Sequence, residues 1–157
     1  MKKVLRGNVL LLTPNGKTMA PILITYDDDE VIANPQSEIT LLYNGIEYKG
    51  CGTNYLWTDT LADLQMNLPK DVKPACCMTC RHGNMCPYGN KENQLFCTKD
   101  ITITSKEDIL DLFDQTDPFE ERAVASLDFC EDFAYQSDDY YTYNDYFYQL
   151  NRKMTDK

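Results

Sequence analysis

The N-terminal part of the chain alternates apolar runs with short polar turns, a pattern typical of antiparallel strands joined by hairpins. Four runs rich in leucine, isoleucine and valine are separated in this way: residues 3–13, 19–26, 37–43 and 46–49. Asn15-Gly16 and Asn44-Gly45 lie between the members of each pair, and Asn-Gly is a strong signal for a tight hairpin turn. The pattern predicts a small antiparallel sheet, with a further short strand at Val31-Ile32.

The hydrophobic spacing becomes helical after this sheet. Three leucines predict a helix over residues 60–67, which Pro69 ends. Thr58-Asp59-Thr60 supplies candidate N-cap oxygens for that helix. Gln94 to Thr104 has the composition of a strand region, with a turn at Lys99-Asp100.

The C-terminal third is predicted to contain further helices. Ser105 begins a capping-box pattern that predicts a helix over residues 106–114. Residues 119–136 fit a helix first and extended chain later. Thr142 is a candidate cap for a last helix over residues 143–153.

Strands first and helices later predict an α+β protein. The length of 157 residues fits one domain. Within it we distinguish a sheet with a short helix in residues 1–72, a cysteine-rich segment in 73–104 and an acidic, tyrosine-rich helical segment in 105–157.

The cysteines are the first candidate chemistry, since five of the seven lie within residues 76–97. Cys77, Cys80, Cys86 and Cys97 supply four thiols, beginning with a C-x2-C step that brings two thiolates to one metal. Cys76 and His82 are alternative ligands. We therefore predict a zinc-binding insert, and we expect Cys51 and Cys130 to be buried structural cysteines.

Other interpretations of this cluster stay open. Reduced structural thiols, disulfides or an iron–sulfur cluster would use the same cysteines. A thiol- or metal-dependent enzyme built on Cys77, Cys80 and His82 is a further alternative, although no standard hydrolase, nucleotide-binding or metalloprotease motif occurs.

Acidic residues are concentrated near the C-terminus. The chain has 25 acids and 15 bases, for a net charge of −10, and residues 107–145 alone hold thirteen acids and one base, Arg122. Such a charge disfavours nucleic-acid binding, because phosphate contacts need a basic surface. It favours a basic protein partner.

Six of the eleven tyrosines lie within residues 135–148 of this acidic region. Tyrosine supplies a large, stiff contact surface with a polar tip and is enriched at protein interfaces. We predict a partner-binding surface made of these residues: Tyr140, Tyr141, Tyr146, Asp138 and Asp139.

The sequence predicts a cytoplasmic location, because we find neither an export signal nor an apolar run long enough to cross a membrane. Taken together, these features predict a non-enzymatic, zinc-stabilised protein that binds or inhibits a basic protein, as an immunity-type inhibitor does. The oligomeric state is not indicated.

Overall fold

The computed structural model describes residues 2–27, 33–54, 56–89, 93–115 and 120–156. The chain forms two compact units, which are described separately below. Unit 1 consists of Met1–Pro74 and Tyr146–Lys157, and unit 2 of Ala75–Asp145. The α+β class, the antiparallel N-terminal sheet and the C-terminal helices are confirmed.

Unit 1 contains a sheet with the strand order β4-β3-β2-β1-β5. Its strands are β1 Lys2–Thr13, β2 Gly16–Asp27, β3 Ser37–Tyr43, β4 Ile46–Gly52 and β5 Lys73–Ala75. The first four pair as antiparallel neighbours. Asn44 and Gly45 both have positive φ, as a tight hairpin turn between β3 and β4 requires. The four predicted strands are therefore confirmed, whereas Val31-Ile32 lies outside the described residues.

Alternate side chains of the sheet form one wall of the core. In β2 the residues on one face are buried from Ala20 onward, and Ile24 is fully buried. Ile39 and Leu41 of β3 are fully buried as well. Period-two burial of this kind is what a sheet with one covered face shows.

Two helices contribute the rest of this core. They are α1, Thr58–Asn67, and α3, Tyr146–Thr155. Leu61 and Leu64 of α1 are fully buried, and α1 lies against β4 and α3. Helix α1 ends just before Pro69, as predicted.

The predicted cap of α1 was wrong. Trp57 occupies the N-cap position in the left-handed region, with φ 52°, and no side chain caps the helix. The Asp59 carboxylate accepts hydrogen bonds from the backbone N–H groups of Thr53 and Asn54 instead. The acid therefore stabilises the loop that leads into the helix.

Unit 2 is built around a three-stranded sheet with the order β6-β7-β8. Its strands are β6 Gly83–Asn84, β7 Gln94–Cys97 and β8 Ala123–Ala125. Helix α2, Lys106–Asp114, begins as predicted, with the Ser105 hydroxyl accepting the Asp108 N–H. Ile109 and Leu112 on the buried face of α2 form an apolar cluster with Ile103.

Two predictions for the acidic third were wrong. Residues 123–125 form strand β8 rather than a helix, because pairing with β7 satisfies their backbone. The last helix begins at Tyr146 rather than at residue 143. The Thr142 hydroxyl donates to the Arg81 carbonyl at 2.7 Å instead of capping that helix.

No helix in the part of the chain that is described has the length and apolarity needed to span a bilayer.

The contact between Gly50 and α1 gives a test of the fold. A Cβ at Gly50 would lie 2.5 Å from both the Leu64 nitrogen and the Thr60 carbonyl oxygen of α1. We expect Gly50→Ala to lower the free energy of unfolding by about 1–3 kcal/mol, because the backbone of a packed helix must move. Urea unfolding measures this change. Gly7→Ala is the matched control, since nothing lies within 4 Å of its added Cβ. Equal stability of the two variants would contradict the close approach of α1 to β4.

Candidate metal centre

The C-x2-C step forms a single 3₁₀ turn at Cys77–Thr79. The Cys80 N–H donates to the Cys77 carbonyl at 3.3 Å, which closes the turn. The His82 N–H points at the Cys80 sulfur, 3.5 Å away. Backbone N–H groups aimed at sulfur stabilise negative charge on a thiolate, so this turn is suited to a metal-binding cysteine pair.

Gly83 allows strand β6 to approach this turn. A Cβ on Gly83 would collide with the carbonyl oxygen of Cys77. The Gly83 N–H donates to the Cys80 carbonyl at 3.1 Å, and Gly83 pairs with Cys97 in the sheet. Because Gly83 has no side chain, strand β6 can approach the turn, and Cys97, which pairs with Gly83, lies close to the turn as well.

Cys76 and Cys77 have different surroundings. Cys76 is fully buried, and its sulfur lies 3.9 Å from the Thr79 hydroxyl. Cys77 lines an open cavity of about 500 Å³. Of the two adjacent thiols, the structure therefore favours Cys77 as a ligand.

The cavity contains three thiols and two bases. It is lined by residues from three segments of unit 2: Cys77, Cys97, Lys99, Asp100, Glu121, Arg122, Val124, Asp128, Phe129 and Cys130. Arg122 pairs with Asp100, and Lys99 pairs with Asp132 at 2.9 Å. Two cations are thereby held beside the thiols, where they would offset part of the negative charge of bound thiolates.

Burial and neighbouring thiols both raise the pKa values of the cysteine pair Cys77 and Cys80. Burial is the main reason that the pKa values of Cys77 and Cys80 are raised, and the nearby Cys97 raises both further. No three His, Cys, Asp or Glu side chains within the five described ranges are arranged to hold a metal. The thiols of Cys77, Cys97 and Cys130 line one cavity, but they are not arranged as a metal site. The metal-binding character of the insert is therefore unconfirmed.

The described lining of the cavity includes neither Cys86 nor His82, the other two predicted candidates, although the His82 N–H points at the Cys80 sulfur. The Asp114 carboxylate of α2, which accepts the Tyr88 hydroxyl at 2.7 Å, raises the pKa of Tyr88, and the nearby Cys86 raises it further. The His82 ring packs edge-on against Tyr140, with 5.5 Å between ring centroids.

The two cysteines expected to be buried are both exposed, so that expectation was wrong. Cys51 lies on strand β4 of unit 1. Cys130 lines the same cavity as Cys77 and Cys97. Sequence reasoning missed this role of Cys130, because the residue stands 33 positions beyond Cys97 among acids, with no second cysteine beside it. No disulfide joins any of the seven cysteines, all of which lie within the described ranges.

The predicted partner-binding residues fall into two groups. Asp138 and Asp139 are exposed at a tight turn in which the Tyr140 N–H donates to the Ser137 carbonyl. The Ser137 hydroxyl donates to the Asp139 carboxylate and lowers its pKa. The guanidinium of Arg81 lies 4.9 Å from the centre of the Tyr140 ring, which is a cation–π contact.

Tyr141 and Tyr146 are less accessible to a binding partner, because both side chains pack against other residues of the protein. Tyr141 packs against the cluster of Ile103, Ile109 and Leu112, and partial burial raises its pKa. Tyr146 is 2% exposed, and its hydroxyl donates to Gln65 within unit 1. Tyr146 is therefore a core residue of unit 1, and the expectation that it would serve as a surface anchor is corrected.

Comparison with known proteins identifies no relative from which a function could be inferred. No family model, curated protein or solved structure matches the chain. The chemistry of the chain must be argued from its own residues.

Gly83 provides a test of the turn geometry. We expect Gly83→Ala to separate β6 from the Cys77 carbonyl and to cost about 1–3 kcal/mol of local stability, because the added Cβ meets backbone rather than a flexible side chain. Amide hydrogen exchange measures this loss at the N–H groups of Gly83 and Thr98. Gly7→Ala, in open space on β1, is the control. Unchanged protection of both amides in Gly83→Ala would contradict the described packing.

Proposed function

We propose that this chain is a non-enzymatic, zinc-stabilised cytoplasmic protein that binds or inhibits a basic protein partner. It would act as an immunity-type inhibitor does, by covering a cationic surface of the partner with an acidic surface of its own. Zinc would stabilise unit 2, and the acidic part of unit 2 would contact the partner.

The negative charge of unit 2 is the observation on which the proposal rests. The described part of this unit has thirteen acids and only four bases, which are Arg81, Lys99, Lys106 and Arg122. Lys99 and Arg122 each pair with an acid, while Arg81 and Lys106 lie over the rings of Tyr140 and Tyr143. Four bases cannot neutralise thirteen acids. A large negative field therefore surrounds the unit and would accelerate association with a cationic protein.

The turn at Ser137–Tyr140 is the most suitable contact point. It presents the carboxylates of Asp138 and Asp139 to solvent, beside the partly exposed Tyr140. Charges at the rim of an interface mainly set the association rate, whereas aromatic side chains provide the affinity. Asp138, Asp139 and Tyr140, with the exposed part of Tyr141, supply both kinds of contact.

The enzymatic alternative has less support in the geometry. A thiol enzyme would pair a cysteine with a base, yet the imidazole Nδ1 of His82 lies 3.4 Å from the Tyr140 hydroxyl. An iron–sulfur cluster would also be held by thiolates, and metal analysis distinguishes it from zinc.

Metal content tests the zinc component. We expect protein purified without oxygen and with a thiol reductant to be colourless and to contain one zinc per chain. Elemental analysis and the visible absorption spectrum measure these properties. Iron with a brown colour would contradict zinc in favour of a cluster, and no metal under these conditions would contradict both.

Neutralising the turn tests the partner component. We expect Asp138→Asn with Asp139→Asn to slow association with the basic partner by about two- to tenfold at low salt, and to flatten the salt dependence of that rate. The partner is first isolated by affinity capture from the cells that make the protein. Surface plasmon resonance at low and high salt then gives the rates.

The matched control neutralises two exposed acids of unit 1, Glu38→Gln with Glu47→Gln, and removes the same net charge. Only the turn variant should change the association rate strongly. Equal effects of the two variants, or capture of no basic protein at low salt, would contradict the proposed surface.

A further inference from the structure

The chain on both sides of Cys130 is hydrogen-bonded to the Cys77–Cys80 turn. The Cys77 N–H donates to the Asp128 carbonyl at 2.7 Å, and the Arg81 N–H donates to the Ala134 carbonyl at 2.8 Å. Cys80 also forms an antiparallel bridge with Tyr135. The loop that carries Cys130 therefore starts at one end of the turn and finishes at the other. Its backbone position is determined by the turn.

Cys97, at the end of strand β7, is also held beside the Cys77–Cys80 turn. It pairs with Gly83, and the Thr98 N–H donates to the His82 carbonyl at 3.0 Å, so the strand is fixed just after the turn. The Lys99 ammonium bonds the Asp132 carboxylate at 2.9 Å. This ion pair links a residue two positions after Cys97 to a residue two positions after Cys130.

The side chains agree with this backbone arrangement. Cys77, Cys97 and Cys130 all line the cavity of about 500 Å³. Cys80 closes the turn that begins at Cys77, its N–H donating to the Cys77 carbonyl at 3.3 Å, and it is bridged to Tyr135 at the end of the loop that carries Cys130. Four thiols from three separate segments are thus brought to one region of unit 2.

The segment around Cys86 is attached elsewhere. The Met85 N–H donates to the Tyr143 carbonyl at 2.7 Å, and the Tyr88 hydroxyl bonds Asp114 of α2. These contacts direct the chain at Cys86 towards the helix α2 side of the unit. Cys130 lies on the loop that is hydrogen-bonded to both ends of the turn, whereas the residues flanking Cys86 are bonded to Tyr143 and to α2.

We propose that zinc binds unit 2 through Cys77, Cys80, Cys97 and Cys130, with Cys76 and Cys86 outside the ligand set. This inference rests on the proposed zinc-stabilised function and replaces one ligand of the sequence-based set. Four thiolates complete a tetrahedral structural site. Because the thiols are not arranged as a metal site, zinc binding would require side-chain rotations about Cα–Cβ bonds, which connect ordinary rotamers. Lys99 and Arg122 at the cavity would offset part of the charge of the site.

Zinc affinity of matched single variants tests the ligand set. The full-length chain, stripped of metal and kept reduced, is titrated with Zn²⁺ in competition with a chromophoric chelator. We expect Cys130→Ser to weaken zinc binding by about 100-fold, since one of four ligands is lost. Cys86→Ser and Cys51→Ser are the controls, and each should retain the affinity of the unaltered chain.

A second pair of measurements separates loss of a ligand from loss of the fold. Cys130→His keeps a zinc ligand and should recover most of the affinity, whereas a cysteine needed only for packing would not be replaced by histidine. Co²⁺ bound to the unaltered chain should show the absorption of four thiolates, and Cys130→His should shift that spectrum to three thiolates and one nitrogen.

The outcomes are distinguishable. If the unaltered chain does not bind zinc, the proposed zinc-stabilised function fails and this inference fails with it. If the chain binds zinc but Cys130→Ser retains full affinity, the inference alone is overturned. Loss of affinity in Cys86→Ser, with Cys130→Ser unaffected, would overturn it in favour of the sequence-based set.

Discussion

Unit 2 depends on backbone hydrogen bonds between the turn at Cys77–Thr79 and a segment about fifty residues further along the chain. The N–H groups of Cys77 and Met78 donate to the carbonyls of Asp128 and Ser126, and the Gln136 N–H donates to the Thr79 carbonyl. Bringing together such distant segments costs loop-closure entropy, which local propensity cannot offset. The sheet β6-β7-β8, the cavity and the cysteine arrangement all require this contact to form.

Buried polar side chains strengthen the same contact. Asn84 is fully buried, donates to the Thr98 hydroxyl and accepts the Tyr143 N–H. The side-chain amides of Gln136 and Asn144 both donate to the Met78 carbonyl. Each buried carbonyl and N–H of an irregular segment must find a partner, so these amides replace the hydrogen bonds that regular secondary structure would supply. A metal would add a further link in a unit that contains little regular secondary structure.

The cavity that holds the thiols is also lined by charged residues. Asp100, Glu121 and Asp128 belong to its lining, and a site of four thiolates and zinc would add more negative charge. Arg122 and Lys99 line the same cavity, each held by an acid of the same unit. These two bases would allow thiolates to form within a strongly acidic unit, since a nearby cation favours the charged form.

The sequence by itself determined the local elements of this protein. Alternation and Asn-Gly turns predicted β1 to β4, and leucine spacing with Pro69 predicted α1. Ser105 predicted the start of α2. Each of these signals acts within a few residues, where side-chain period and backbone conformation are directly linked. The charge concentration of residues 107–145 was equally readable, because net charge does not depend on the fold.

Only the tertiary structure decided which distant residues meet. Residues 123–125 became strand β8 because β7 offered backbone partners, and Tyr146 became a core residue because α3 packs on α1. The C-x2-C spacing predicted Cys77 and Cys80 as candidate ligands, since two cysteines on one turn are a local feature. The neighbourhood of Cys130 has no local sequence signal. Its position follows from hydrogen bonds that join Asp128 and Ala134 to the two ends of the turn, and such long-range pairings are set by the whole unit.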